Sequence, residues 1–183
     1  MPKKTIKEEE ITERWSVLIE GAQGRGKELL KRTEGLLKEI EAPEVFTEWK
    51  EVSPAFFKEK RTCLLVRNKK MADYIMYVSA RDYGKQLSVY WYLALELPLW
   101  RKLFASFGIF ILPILPLVMF YDFLKGRGKT SPLQMSLFGL EELTAYVTTG
   151  HHAVIDASKE VSQTVGFDFT KIDQKSKGFL NIS

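Results

Sequence analysis

The chain has 183 residues, enough for one well-packed domain and too few for two comfortable ones. Hydrophobic residues make up 45% and charged residues 27%, a composition that excludes a disordered chain. The 27 basic and 23 acidic residues leave a net charge of +4, a thin excess that only weakly favours anionic lipid or nucleic acid as a partner. Cys63 is the only cysteine, which excludes an internal disulfide and a cysteine zinc site and favours the cytosol. Residues 1–10 lack the apolar stretch of a secretory signal, so no export is expected.

The first predicted element is a long helix. Apolar and small residues recur at steps of three and four between Ile11 and Ile40. This spacing predicts one face of an amphipathic helix that ends before Pro43, because proline disfavours helical backbone in the residue ahead of it. Gly24 and Gly26 mark a point where this helix can break.

Four strands are predicted after the helix. They cover Val45 to Ser53, Thr62 to Arg67, Asp73 to Arg81 and Gln86 to Glu96. The last strand is the clearest, since apolar and other side chains alternate along it and give its two faces a different character. Gly84, between the last two strands, supplies the glycine that a tight hairpin turn needs.

A second long helix is predicted near the C-terminus. Its apolar stripe runs from Leu140 to Val161, and Gly166 is placed to end it. The polar and basic tail, residues 171–183, either is mobile or lies on the sheet. Together the elements predict a single α+β domain over residues 1–183, with an antiparallel sheet of about four strands and long N- and C-terminal helices packed on one of its faces.

An apolar insert, residues 97–124, separates the sheet from the second helix. Within it, Leu103 to Tyr121 carries no charged side chain, and a helix of this length matches the hydrocarbon core of a bilayer. Pro113 and Pro116 break such a helix near its middle, which favours a helical hairpin that dips into one leaflet. A straight span is the first alternative, but it would place the second helix across the membrane from the sheet. The other alternative is a pair of short helices buried in a soluble core or in an oligomer contact.

Two sets of residues are expected to bind the membrane. Basic residues flank the apolar segment on both sides, where they can meet anionic headgroups: Arg101, Lys102, Lys125, Arg127 and Lys129. Aromatic and aliphatic residues in and beside the segment are expected to contact lipid: Trp100, Phe104, Phe107, Phe110, Ile111, Leu112, Leu115, Phe120 and Tyr121. Membrane lipids are therefore the first expected partner.

The segment Gly21-Ala22-Gln23-Gly24-Arg25-Gly26-Lys27 resembles the phosphate-binding loop of P-loop NTPases in its G-x-x-x-x-G-K spacing. The resemblance implies a nucleotide site formed by Gly21, Gly24, Gly26 and Lys27. It departs from the family at Glu28, because the next residue of a P-loop is Ser or Thr, which binds Mg²⁺. The alternative interpretation is that these glycines break the helix or let another element pack closely against it.

The histidines predict neither a metal site nor a catalytic site. His151 and His152 are adjacent, so on a helix they point in directions about 100° apart and cannot chelate one ion together. His152 and Asp156 have the spacing of a surface ion pair. No nucleophile is identifiable beside them.

Aromatic residues crowd the central hairpin, residues 74–92, and Arg81 and Lys85 stand near its turn. Such a surface can stack single-stranded bases. However, the RNP pattern of RNA-binding sheets is absent, and aromatics are favoured in strands for packing reasons alone. Sheet packing is the preferred interpretation, and nucleic acid is not expected as a partner.

Taken together, these features predict a non-enzymatic, membrane-associated interaction module that binds a protein or lipid partner at the cytosolic membrane face. No acid–base pair, ligand cluster or cofactor motif argues for an enzyme, and we expect no cofactor and no metal. A protein partner or a homo-oligomer remains open. The two alternative functions are nucleotide binding by residues 21–27 and nucleic-acid binding by residues 74–92.

Overall fold

The computed structural model describes residues 11–52, 61–96, 135–172, 174–180 and 182. The strands are β1 (Ile11–Glu20), β2 (Val45–Val52), β3 (Arg61–Asn68), β4 (Tyr74–Tyr83), β5 (Gln86–Leu95) and β6 (Lys177–Gly178). The helices are α1 (Gly26–Glu39) and α2 (Leu137–Thr164), followed by a 3-10 helix at Phe169–Lys171. The strands form one antiparallel sheet in the order β2-β3-β4-β5-β1-β6. The predicted α+β class is confirmed.

The predicted N-terminal helix is wrong over its first half. Residues 11–20 form β1, in which alternate side chains from Trp15 to Ile19 point into the core. The strand is stabilised by pairing with β5 along almost its whole length. The chain then turns at Gly21 and Gly24, whose φ angles of 74° and 82° favour glycine, before α1 begins. With β1 and β6 added, the sheet has six strands in place of the predicted four.

The four strands and the C-terminal helix that the sequence predicts are confirmed. Each of the four predicted strands begins and ends within two residues of its predicted limits. The hairpin turn between β4 and β5 is Gly84-Lys85, and Gly84 has a φ of 61°. α2 covers the predicted apolar stripe, and Gly166 follows its end with a φ of 69°.

Both helices pack on the same face of the sheet. At Gly26, the first residue of α1, an added Cβ would lie 3.2 Å from the carbonyl oxygen of Ala80. Gly150, near the middle of α2, lies against the side chain of Met76, and Tyr146 of α2 donates its hydroxyl hydrogen to the carbonyl of Val66 at 2.6 Å. Because α1 and α2 also contact each other, helices and sheet enclose a single main core.

The opposite face of the sheet carries a second apolar cluster. Its buried members are Val52, Cys63, Leu65, Ile75, Tyr77 and Ala94. Cys63 is a free thiol, and burial raises its pKa, so the thiol stays protonated and unreactive. Among the described residues no helix packs on this side of the sheet, which we call the helix-free face.

The sheet has two ends, which are named here by their turns. The β3–β4 turn, residues 69–73, lies at one end, and the β4–β5 turn, residues 84–85, lies at the other. They are separated by the length of β4, roughly 30 Å. We refer to the 69–73 end and the 84–85 end.

α2 runs from the 69–73 end to the 84–85 end. Near its start, Glu142 Oε1 lies 3.1 Å from Lys70 Nζ. Just after its end, Val165 lies beside Gly21, whose N–H donates to the carbonyl of Lys85. A helix of 28 residues is about 42 Å long, so α2 is longer than the strands beneath it, and Leu137 and Phe138 in its first turn are exposed.

The predicted apolar segment, Leu103 to Tyr121, lies outside the described residues, and so do the candidate membrane-contacting and headgroup-binding residues in and around it. Within the described ranges, no helix is both long and apolar enough to cross a bilayer. The hairpin, the straight span and the buried helices therefore all stay predictions.

Candidate functional site

A cavity of about 350 Å³ opens on the helix-free face, where β1, β5 and the C-terminal tail meet. It is lined by Ile11, Arg14, Trp15, Ser16, Tyr90, Trp91, Tyr92, Lys175 and Lys177. We call it the β1–β6 cavity. Its volume is within the range of pockets that bind small molecules.

The tail is held against β1 by a buried carboxylate. Glu13 is 1% exposed, and it accepts hydrogen bonds from the hydroxyl of Ser176 and, at 2.7 Å, from the N–H of Leu180. Successive side chains of an extended chain point to opposite sides, so Lys175 and Lys177 turn to the cavity while Ser176 turns to Glu13. The tail thus lies on the sheet, which is one of the two alternatives that the sequence leaves open.

The cavity is electropositive. Arg14 and Lys177 stand directly opposite each other in the ladder between β1 and β6. Like charges at such positions repel and weaken the pairing, because their Cβ atoms are about 5 Å apart. Lys175 adds a third positive charge, and none of the described residues that line the cavity is acidic.

Two half-buried tyrosines form the wall of the cavity. The ring of Tyr92 stacks on Tyr77 with centroids 5.3 Å apart. The hydroxyl of Tyr90 accepts a hydrogen bond from Arg61 Nη1 at 2.8 Å. Burial raises the pKa of Tyr92, so its hydroxyl stays protonated at physiological pH. These contacts fix both rings and leave a rigid aromatic wall beside the cations.

The aromatic residues of the central hairpin do not form one platform. Of the six aromatic residues between positions 74 and 92, three are buried: Tyr74 and Trp91 face the helices, and Tyr77 lies in the helix-free face. The other three are Tyr83, Tyr90 and Tyr92. Tyr83 stands alone at the 84–85 end, and no continuous stacking surface for bases results among these residues. The nucleic-acid hypothesis stays a prediction that this geometry does not favour.

The glycine-rich segment links β1 to α1 as a strand, a loop and a helix. This local order is that of a P-loop, but β1 is antiparallel to both of its neighbours. The N–H of Gly24 donates to Asp82 Oδ1 at 2.9 Å. A carboxylate thus occupies a backbone donor that a phosphate would use in a P-loop.

The structure does not gather the four candidate nucleotide-binding residues around one pocket. Gly21 lies beside Val165, and Gly26 packs on the backbone of Ala80, which agrees with the packing interpretation. Of the four, only Lys27 lines a described cavity, a groove that also contains Asp82. Nucleotide binding stays a prediction. The carboxylate of Asp82 disfavours it, because its negative charge would repel a phosphate.

His151 is a fully buried core histidine. Its Nδ1 accepts a hydrogen bond from Trp91 Nε1 at 3.0 Å, and the ring of Trp15 packs edge-on at 5.9 Å. Burial lowers the pKa of His151 to about 4, although the backbone of Gln174 acts in the opposite direction, so the imidazole is neutral at physiological pH. The sequence carries no signal for this contact, because Trp91 and His151 are 60 residues apart.

The described histidines and acidic residues do not converge on a metal. Within the described ranges no group of His, Cys, Asp and Glu side chains is arranged to hold an ion. Asp156, the predicted partner of His152, has Lys159 Nζ at 3.4 Å. Among the described residues, the β1–β6 cavity is therefore the best candidate for a binding site, because it combines basic side chains with an aromatic wall.

Comparison with known proteins finds no family model, no curated protein and no solved structure that matches this chain.

Proposed function

We propose that this chain is a non-enzymatic, membrane-associated α+β module that binds a lipid or protein partner at the cytosolic membrane face. In this proposal the 69–73 end of the sheet faces the lipid. The observation that carries it is the position of the two chain ends that border residues 97–134.

Both of these chain ends lie at the 69–73 end of the sheet. Glu96, which follows β5, donates its N–H to the carbonyl of Asp73 at 2.7 Å. Leu137 opens α2, and Glu142 pairs with Lys70 of the same turn. The described chain therefore stops after Glu96 and resumes at Met135 at the same end of the sheet.

This arrangement supports a membrane hairpin over a straight span. α2 packs on the sheet and on α1, and it buries apolar residues such as Val147, Val154 and Val161. A straight span would carry α2 across the bilayer and expose these side chains, each at a cost of roughly 1.5 to 3 kcal/mol. A segment that enters and leaves on one side keeps α2 in the core.

Exposed large apolar side chains gather at the same end. They are Ile40, Phe46, Leu137, Phe138 and Phe179, whereas Leu18, Trp49 and Tyr83 lie elsewhere. The side chains at the start of α2 are the most exposed, Leu137 at 69% and Phe138 at 79%. Apolar groups beyond one end of a folded domain suit the boundary between headgroups and acyl chains.

We expect the double variant Leu137→Ser with Phe138→Ser to bind vesicles roughly tenfold more weakly than the wild type, measured by flotation of the full chain. Transfer of the two side chains into the interface contributes on the order of 1.5 kcal/mol, which corresponds to this factor. The matched control is Leu18→Ser with Tyr83→Ser, which removes exposed apolar groups away from the 69–73 end and should bind like the wild type. An equal loss in both double variants contradicts the orientation. A wild type that never floats with vesicles contradicts the proposed function.

A further inference from the structure

We infer that the β1–β6 cavity binds a phosphate monoester group, carried either on a lipid headgroup or on a soluble molecule. The inference that the cavity binds phosphate does not depend on membrane association. Only the lipid source of the phosphate rests on the proposed function.

The first support is the repulsion between Arg14 and Lys177. Two cations that face each other in a ladder weaken the pairing unless an anion lies between them. The ladder between β1 and β6 has only two residue pairs, so the repulsion acts on half of it. An anion that accepts hydrogen bonds from both side chains turns this unfavourable contact into two charge-assisted ones.

The second support is the match between the charges of the site and those of the ligand. Arg14 and Lys177 place two facing positive charges at one cavity, and Lys175 also lines it. A phosphate monoester carries a charge of about −1.5 to −2 at neutral pH and has three acceptor oxygens. A carboxylate would neutralise less of this charge and has two oxygens. Glu13, the carboxylate next to Arg14 in sequence, points to the other side of β1 and is buried with Ser176.

The third support is the rigidity of the backbone that carries the cations. Gly178 has a φ of 155°, and a Cβ there would overlap the carbonyl oxygen of Thr12. The tail therefore approaches β1 more closely than any other residue type permits at this position. The N–H of Phe179 donates to the same Thr12 oxygen at 3.2 Å. The backbone at Lys177 is thus fixed before a ligand arrives, which removes part of the entropic cost of binding.

The organic part of the ligand has room beside the phosphate. A smaller cavity of about 140 Å³ adjoins the first one and shares Ile11, Tyr90 and Tyr92 with it. Its other lining residues are Val52, Cys63, Arg61 and Ser79, so it has an apolar side and a polar side. An apolar or ring-shaped group attached to the phosphate can lie against the tyrosines and extend into this space.

The position of the cavity fits a phosphate at a bilayer surface. Arg14 pairs with Tyr92, which is four residues before Glu96 at the 69–73 end. Arg14 and Lys177, which stands opposite it, therefore lie in the half of the sheet nearer the lipid in the proposed function.

Lys177→Glu tests the site. The variant replaces the repelling pair with an opposite-charge pair, so we expect its Tm without ligand to equal or exceed that of the wild type. Phosphate binding should become roughly ten- to a hundredfold weaker, because a charge-assisted hydrogen bond is lost. The probes are inorganic phosphate and glycerol 3-phosphate, read as a rise in Tm, and vesicles of phosphatidylcholine with or without phosphatidic acid, read by flotation. The control is Lys85→Glu at the 84–85 end, which makes the same change in net charge and should leave every affinity unchanged.

The outcomes separate the site from the membrane proposal. A Tm rise with the soluble probes that Lys177→Glu abolishes supports a soluble source, and a loss seen only with phosphatidic acid vesicles supports a lipid source. If Lys177→Glu and Lys85→Glu weaken phosphate binding equally, or if no phosphate probe binds the wild type, the site is overturned. If soluble phosphate raises the Tm of the wild type but the wild type floats with no vesicle, the phosphate site is supported and the proposed function is overturned.

Discussion

Replacing Glu13 with Ala is expected to lower the free energy of unfolding by about 3 kcal/mol. The change removes the acceptor for the hydroxyl of Ser176 and for the N–H of Leu180, and an unpaired buried donor costs about 1 to 3 kcal/mol. The same hydroxyl oxygen accepts from the N–H of Ile182, a buried core residue, so the whole turn of the tail loses its support. Urea unfolding followed by tryptophan fluorescence measures the loss.

The same variant should also lose phosphate binding, because Lys175 and Lys177 depend on the tail for their position. Glu13→Gln keeps one acceptor oxygen and should lose about half as much stability. Glu20→Ala is the matched control at the other end of β1, where the side chain is exposed and accepts a hydrogen bond from Gln86 at 3.3 Å. Its change should stay within about 0.5 kcal/mol. A Glu13→Ala protein as stable as the wild type would show that the buried carboxylate does not hold the tail.

The free energy of unfolding is expected to fall by about 2 kcal/mol between about pH 8 and pH 5, because the buried His151 takes up a proton on unfolding. Burial lowers its folded pKa to about 4, whereas the unfolded value is near 6.5. Between these two values the unfolded chain binds more protons, so stability is complete above the unfolded pKa and falls as the pH drops towards the folded one. Urea unfolding at a series of pH values measures this slope.

His151→Gln isolates the contribution of this imidazole. An amide oxygen can still accept from Trp91, but it does not titrate, so the stability difference from the wild type should shrink as the pH falls. His152→Gln is the control, since that side chain is exposed and the wild-type slope should persist. A stability difference that does not change with pH refutes the prediction. Titration of the His151 ring by NMR gives an independent value if the variant folds poorly.

Helices and strands whose apolar residues recur with a single clear period were predictable from the sequence, whereas β1 was not. From Ile11 to Ile19 the chain carries both periods: a stripe through Trp15 and Leu18 suits a helix, while Trp15, Val17 and Ile19 alternate as in a strand. The choice between them depends on pairing with β5, which is distant in sequence. Glu13 hides the alternation further, because it is a charged residue at an inward position.

The candidate site was less predictable than the fold. Lys175 and Lys177 look like part of a solvated basic tail, and a strand as short as β6 has no sequence signal. Their meeting with Arg14 depends on a contact between Glu13 and Ser176, residues separated by 163 positions. The alternation Lys-Ser-Lys was the available hint, since it places two cations on one side of an extended chain.

The depth of two labelled positions relative to the bilayer tests the central claim most directly. Phe138→Cys and Tyr83→Cys place a thiol at the 69–73 end and at the 84–85 end of the full chain, for a fluorophore that reacts poorly with the buried Cys63. With vesicles that contain a nitroxide lipid quencher, the label at position 138 should be quenched and the label at position 83 should keep its intensity in water. Equal quenching at both positions, or quenching at position 83 alone, would contradict a membrane-associated module whose 69–73 end faces the lipid.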